Sequence, residues 1–371
     1  MKDPGIFELK EIDTRWNEHM LNIVQDSPIE SNGLKIFFDR HPDIFFLPSL
    51  MSEKLRCCGF FLRNKLEGFA MMLNRKVFVN GDIKLVPYFG YLVVSRNARG
   101  RGFLYKMSDF FFDEYSHPAS VGYFIVMHGN TAAIRLLNRF HPKYPRVPYS
   151  KLIGYWKVHN RLLFFSCRKN SKYRLRKAQL PDTERIVKLL QDENRNRLFG
   201  SVVTKEAIIR YTKFLPGFDV SNFYLAEQEN EIVGVCCAWD MSAVKTNRVV
   251  EYNRKLRIIR FAFNGLAVLL RYPPLPPKGE PFRNVTITDY AVKNRDPAIL
   301  KTLLDRIHND YRKKKYHIMI FGHALNDPLG KAADYIFSVP VISDIHVFSG
   351  LKETTEDFES KDYPWIEMLL L

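Results

Sequence analysis

Apolar and polar positions in the first 165 residues switch repeatedly between two periods. Phe7-Glu8-Leu9-Lys10-Glu11-Ile12 alternates like a half-buried opening strand, and Thr14 to Gln25 has helical spacing with Thr14 as the expected N-cap. Three β-rich runs follow at 55–62, 66–79 and 83–94, the last two joined by Asn80-Gly81, a hairpin dipeptide. A glycine-bearing loop at 99–102 then leads to a predicted helix at 103–115, a strand at 121–127 and a helix at 130–140. Two strands are expected across 151–165, turning at His159-Asn160. This order describes one mixed α/β domain.

The polar stretch 168–172 is the expected linker, after which the pattern restarts. Tyr173 to Ala178 mirrors the opening strand, and Asp182 is the expected cap of a helix from Thr183. A hairpin follows, 223–227 and 231–239, turning at Glu229-Asn230. Later come a strand at 285–292, a helix at 297–312, a strand at 316–322 and a helix at 328–335. The two halves, 1–168 and 169–371, read as diverged copies of one unit. The segment 249–283 has no counterpart in the first half. Within it, 256–270 is apolar at helical spacing, with Arg254, Arg257, Arg260 and Arg271 in and around it, and it ends in Pro273-Pro274-Leu275-Pro276-Pro277. The expected seat of this basic amphipathic helix is its own domain or its neighbour, not a membrane.

Composition narrows the class. A chain of 371 residues that is 46% hydrophobic can bury two cores. No apolar stretch is long enough to span a bilayer and no signal peptide is recognisable, so a cytoplasmic location is expected. The five cysteines include the adjacent pairs Cys57-Cys58 and Cys236-Cys237, which on strands point to opposite faces. They read as reduced core residues, and none has zinc-site spacing. The formal charge of +16 favours anionic partners. Nucleic acid is not expected, because no nucleic-acid motif accompanies the charge.

Chemistry concentrates at Val94-Ser95-Arg96-Asn97-Ala98-Arg99-Gly100-Arg101-Gly102-Phe103, which leaves a strand and opens a helix. Glycines let backbone N–H groups converge on phosphate oxygens, the helix N-terminus presents positive potential, and Arg99 and Arg101 add charge. The spacing is neither a Walker loop nor G-x-G-x-x-G. It reads as a pyrophosphate site.

The segment resembles the acetyl-CoA signature of the GNAT superfamily of N-acetyltransferases, Arg/Gln-x-x-Gly-x-Gly/Ala after a strand ending in Val. Val94 takes the strand end, Arg99 the Arg/Gln place and Gly102 the first glycine, while Leu104 stands where Gly or Ala is usual. Asn130-Thr131-Ala132-Ala133-Ile134-Arg135-Leu136-Leu137 is similar to the family's later helix motif, Asn-x-x-Ala-x-x-Leu-Tyr. The likeness covers roughly residues 5–165 by motif and order, and the rest by order only. It implies two GNAT-like domains, each a central mixed β-sheet flanked by helices. It also implies acetyl-CoA, or another acyl-CoA, as co-substrate, with no metal. The cofactor would be held by Leu92, Val94, Arg99, Gly100, Arg101, Gly102, Phe103, Leu104, Asn130 and Ala133.

The implied reaction is direct attack of an amine on the thioester, with the acceptor unidentified. Leu137 occupies the place of the family's acid Tyr, so Tyr144 is the substitute candidate. Alternation back from Val94 puts Tyr88 or Gly90 at the family's base position, and an unperturbed phenol, with pKa about 10, is a weak choice there. His128, at a strand end beside Asn130, is the histidine nearest the implied thioester. An aminoacyl-tRNA-dependent transferase and a non-catalytic acyl-CoA-binding protein are the alternatives. The second half has Lys293-Asn294-Arg295-Asp296-Pro297 where the loop would recur, without glycine, and is expected not to bind CoA.

Overall fold

The period-two runs of both halves converge on a single sheet, because each half ends on a strand that the other half takes. The computed structural model describes residues 7–31, 33–117, 120–131, 133–134, 146–168, 172–267, 269, 272–356, 358 and 363–371. The first half supplies β1 (Phe7–Glu11), β2 (Lys54–Leu62), β3 (Lys65–Val79), β4 (Asp82–Val94), β5 (Gly122–Met127) and β6 (Tyr149–Leu162). The second supplies β7 (Arg174–Lys177), β8 (Phe223–Gln228), β9 (Glu231–Trp239), β10 (Asn284–Val292), β11 (Ile318–Ala324) and β12 (Ser338–Ser349). Their order across the sheet is β1-β2-β3-β4-β5-β12-β6-β11-β10-β9-β8-β7, with the short strand Gly200–Ser201 added to β3.

Read from either edge, the sequence of strands is the same. β4 and β5 are parallel, as are β10 and β11, and the other neighbours on this path are antiparallel. At the centre, β12 lies between β5 and β6, and β6 lies between β12 and β11. Each half therefore donates its sixth strand to the other. One apolar core runs the length of the joined sheet, from Leu73, Tyr88 and Tyr123 through Trp156 to Tyr290, Phe321 and Trp365. A small separate sheet joins Ile29–Ser31 and Leu34–Asp39 to Thr246–Tyr252 and Pro281–Phe282, again across the halves.

Several expectations need correction. His159-Asn160 is no turn: both lie inside β6, paired on one side with Phe321 and Ile320 and on the other with Pro340 and Val339. With ladder partners on both sides, extended pairing outweighs the turn preference of Asn, whose Nδ2 donates to Val339 O at 3.1 Å. The first helix is capped by Asp13, not Thr14: the Asp13 carboxylate accepts from Arg15 N at 3.0 Å, a 3₁₀ turn covers Thr14–Trp16, and α1 spans Asn17–Gln25. Asp182 stands at the N-cap of the next helix, but its side chain makes no cap bond to it. Its carboxylate reaches back to Gln179 N at 2.8 Å and to Arg176 at 2.6 Å, because a guanidinium offers it a charged partner. The 103–115 helix breaks at Phe111 into α2 (Phe103–Phe110) and a turn at Phe112–Tyr115, and 328–333 is a 3₁₀ helix. The linker centre 169–171 lies outside the described residues.

In the second half, α3 (Thr183–Asn194), α4 (Lys205–Phe214), α5 (Arg254–Ala267) and α6 (Pro297–Lys313) cover the sheet or its margins. The helix expected from 256–270 is α5, and only one of its sides packs on the protein. No helix among the described residues is long and apolar enough to cross a membrane. Cys57 and Cys58 enter different core clusters, as do Cys236 and Cys237, and all five cysteines are free.

The exchange predicts that the halves are not separable. Calorimetry of the full chain should show one unfolding transition, and residues 1–168 made alone should give an undispersed NMR spectrum, since β5 then lacks β12 and β6 lacks both neighbours. A folded monomer of 1–168 would refute this account.

Candidate functional site

The loop after β4 is held open by two left-handed glycines. A 3₁₀ turn at Arg96–Ala98 buries Ala98, after which Gly100 (φ +76°) and Gly102 (φ +78°) reverse the chain into α2. A side chain at either would cost roughly 1–2 kcal/mol in backbone strain. The direction in which a Gly100 Cβ would point is open space. Gly102 is the N-cap of α2 and has no side chain to satisfy the helix's first N–H groups. Arg99 Nε donates to Val94 O at 3.2 Å and Arg101 Nε to Asn97 O at 3.3 Å, which tethers both guanidinium groups to the loop. Ser95 N donates to Glu67 O at 2.8 Å, and the Ser95 hydroxyl bonds the Glu67 carboxylate, fixing the strand end. Phe103 anchors α2 against Phe60, ring centroids 4.7 Å apart.

The loop stands beside a fork in the sheet. β4 pairs with β3 as far as Gly68 opposite Val94, but its pairing with β5 stops at Tyr88 with Tyr123 and Phe89 with Phe124. β5 continues along β12 to Met127 opposite Ser343. A bulge at Tyr91 (φ +54°), opposite the Phe69–Met71 register shift, turns the end of β4 away from β5. From Gly90 to Val94 the strand therefore has a ladder partner on one side only, and half-exposed Leu92 lies along this free edge.

The expected residues divide around this fork. Leu92, Val94, Arg99, Gly100, Arg101, Gly102 and Phe103 form the β4 end, the loop and the first turn of α2, and Leu104 follows in that turn. Asn130 lies just past β5, where its Oδ1 accepts from Ala133 N at 3.3 Å and caps the next helix start. Tyr144 and residues 135–137 lie outside the described residues. Tyr88 is buried against Tyr123 at 4.9 Å, and burial pushes its phenol well above the ordinary range, so it is a poorer base than its sequence position implies. His128, directly after β5, is largely exposed, and its Nδ1 meets Asp344 Oδ1 at 2.7 Å. Asp344 is buried on β12, so the strand that the second half lends also orients this imidazole.

The equivalent fork between β10 and β11 is filled. Those strands part after Thr286 opposite Ile320, and the space beyond holds Tyr290, Trp365 and Arg197. The Arg197 guanidinium lies 4.5 Å from the Tyr290 ring centre and 4.2 Å from that of Trp365. The turn that follows is closed as well: Asp296 Oδ1 accepts from Ala298 N at 2.8 Å, putting a carboxylate where an anion would bind.

A cavity of about 310 Å³ opens between the halves. Its inner wall carries charges that only the fold brings together. Arg75 of β3 is buried, with Nη1 donating to Tyr123 OH at 2.8 Å and Nη2 lying 3.3 Å from Glu367 Oε2. Ser201 Oγ donates to the same oxygen at 2.6 Å, whereas Glu367 Oε1 is buried without a hydrogen-bond partner. Asp289 of β10 completes the wall. Burial, reinforced by the Glu367 charge, pushes its carboxyl up to about 7. Sequence reasoning missed Arg75, Asp289, Glu367 and Asp344. For Asp289, Glu367 and Asp344 the available signal was a lone charge within an otherwise apolar run, whereas Arg75, beside Asn74 and Lys76, carried none. Among the described residues no group of three His, Cys, Asp or Glu is placed to hold a metal.

No protein-family model matches the chain, and no curated protein matches it in sequence. Solved structures do match in shape. Saccharomyces cerevisiae N-myristoyltransferase with bound myristoyl-CoA superposes with a TM-score of 0.55 at 12% identity, over 98% of this chain and 89% of that one. A second structure of that enzyme gives 0.56 at 12% identity, over 96% and 84%. The GCN5-related N-acetyltransferase from Sphaerobacter thermophilus gives 0.51 at 12% identity, over 85% and 83%. The fold of this chain is the GNAT fold.

The buried pair at the cavity gives a stability test. Arg75→Met should cost roughly 3–5 kcal/mol in urea denaturation, because it strands the Glu367 charge. The double variant Arg75→Met/Glu367→Gln should recover most of that loss. No recovery would mean that the two side chains are not energetically coupled.

Proposed function

We propose that the protein is an acyl-CoA-dependent N-acyltransferase that uses the fork of its first half. The observation that carries this reading is the placement of an uncapped helix N-terminus, opened by Gly100 and Gly102, at the end of a strand whose edge is free from Gly90 to Val94. Backbone N–H groups at the start of α2, with Arg99 and Arg101, would hold the pyrophosphate. The free edge of β4 would hydrogen-bond the pantetheine arm, and one of its amides would stabilise the developing oxyanion. The alternative of an aminoacyl-tRNA substrate has no such use for this loop. The share of each half in the proposal is unequal: 1–168 binds the acyl donor, while 169–371, its fork filled and its loop self-capped, shapes the acceptor side.

In the proposed reaction a neutral amine attacks the thioester carbonyl from roughly 3–3.5 Å. The C–N bond forms, the C–S bond breaks, and the amine's proton reaches the leaving thiolate. His128, oriented by Asp344 and placed beside Asn130, is the proton carrier in this scheme. No covalent enzyme intermediate is needed, consistent with four deeply buried cysteine side chains.

The cavity between the halves suits the acceptor. Asp289 and the unpartnered Glu367 Oε1 offer negative charge to an ammonium group, with Tyr211 and Phe218 for its apolar part. A cationic acceptor fits this chemistry better than a polyanion, and it has to be extended, because Arg75 pairs with Val86, four residues (about 13 Å) along β4 from Gly90, where the free edge begins.

Calorimetric titration tests the donor site. Acetyl-CoA or a longer acyl-CoA should bind with one site per chain, and Gly102→Glu should abolish binding; absence of binding to the folded wild type at any chain length would sink the proposal. Once an acceptor is found, His128→Gln should lower turnover by about 10²–10⁴-fold without weakening acyl-CoA binding, and Asp344→Asn should follow in the same direction. Acceptor affinity should rise as pH increases through about 7, where Asp289 loses its proton, and Asp289→Asn should flatten that profile. A profile indifferent to Asp289→Asn would move the acceptor elsewhere.

A further inference from the structure

Helix α5 carries apolar residues on both sides, and only one side has a core to meet. Its inner side is fixed. Leu256 packs in the small cluster of Val249, Tyr252 and Phe282, and Phe263 meets Phe164 and Tyr272 at centroid distances of 5.2 and 5.5 Å. Asn264 exchanges hydrogen bonds with the backbone of Leu275 at 2.8 and 3.3 Å, and Ala267 is buried. On the outer side Ile258 is 72% exposed and Phe261 85%, and Leu269, two residues past the helix end, is 80% exposed. Helical spacing places Ile258 and Phe261 in one stripe on one side of α5.

A second exposed apolar group lies beyond the inner side of the helix. Phe164, under Phe263, also contacts Phe337 at 5.4 Å, and Phe337 contacts exposed Phe165 at 5.6 Å, with fully exposed Ile336 beside it. Soluble surfaces seldom leave large apolar side chains this fully uncovered on one helix side. Its charge is equally one-sided. α5 contains Arg254, Lys255, Arg257 and Arg260 and no acidic residue. Glu251, just before the helix, is engaged by Lys35 at 2.8 Å. Lys255 and Arg257 fall on opposite flanks of the stripe, so cations border the apolar residues on both sides.

We propose that α5 is an interfacial helix that seats the protein on an anionic lipid surface. Ile258 and Phe261 enter the boundary between headgroups and acyl chains, and Arg254, Lys255 and Arg257 meet lipid phosphates. A second copy of the chain is a poor occupant of the same face. A two-fold contact would set the cations of one α5 against those of the other. This inference stands apart from the acyl-transfer reading, since it uses neither the fork nor the cavity.

The test is sedimentation of the full-length protein with phosphatidylcholine vesicles, with and without phosphatidylglycerol, at low and high salt. Binding is expected only to the anionic vesicles, and it should weaken as salt rises. Arg254→Ala and Lys255→Ala should each lower the partition coefficient roughly fivefold. The double variant Ile258→Asp/Phe261→Asp should abolish binding while leaving the thermal midpoint unchanged, because both side chains already face water. Three results would overturn the proposal: equal partition onto neutral and anionic vesicles, anionic binding that survives the double variant, or a dimer in light scattering that the double variant splits.

Discussion

The interaction on which the rest of this structure depends is the antiparallel pairing of β6 with β12 at the centre of the sheet. Each of these strands closes the half to which it does not belong in sequence. β12 gives β5 its second neighbour, and β6 does the same for β11. Backbone hydrogen bonds that would otherwise face a bare sheet edge are thereby satisfied across the halves. The shared core, the cavity and the Asp344–His128 contact all follow from this exchange, because each combines residues that are more than a hundred positions apart.

The same symmetry makes the differences between the halves informative. Both have a parallel pair that parts toward its C-terminal ends, and both have a turn leading into a helix. In the first half the turn has two left-handed glycines and the strand edge is free. In the second, Asp296 caps the helix with its own carboxylate, and Arg197, Tyr290 and Trp365 fill the fork. Related geometry thus yields an open cleft in one place and a packed core in the other. A few residue choices decide between them: glycine against aspartate at the cap, and a cation sandwiched by aromatics in place of solvent.

Local features of this chain were legible in its sequence and long-range ones were not. The β2–β3–β4 meander, the turn at Asn80-Gly81, the hairpin at Glu229-Asn230 and the glycine loop after Val94 rest on periodicity and on residues that tolerate positive φ, which act within a few positions. The misplaced turn at His159-Asn160 shows the limit. Nothing local distinguishes an Asn in a turn from an Asn in a strand flanked on both sides. β12 went unassigned because its Pro340, Asp344 and His346 interrupt the apolar pattern, and its place is set by β5 and β6. At the site, the donor loop could be read directly. Asp289, Glu367 and Asp344 could at most be noticed as lone charges, and Arg75, next to Lys76, not even as that, since their partners come from distant segments. The first cap fell one residue earlier than expected, on Asp13, with Thr14 already inside the turn, a shift that the capping preference alone does not rank.

Strand exchange also sets a schedule for synthesis. A chain emerging from the ribosome reaches the end of β5 long before β12 exists, and at ordinary elongation rates the interval is on the order of ten seconds or more. Throughout that interval the nascent first half carries an unpaired sheet edge beside the apolar residues of β5, and it cannot close by itself. The last strand of the large sheet to be made is the one that the first-made half requires. A chain with two self-contained halves would not leave such an edge bare during translation.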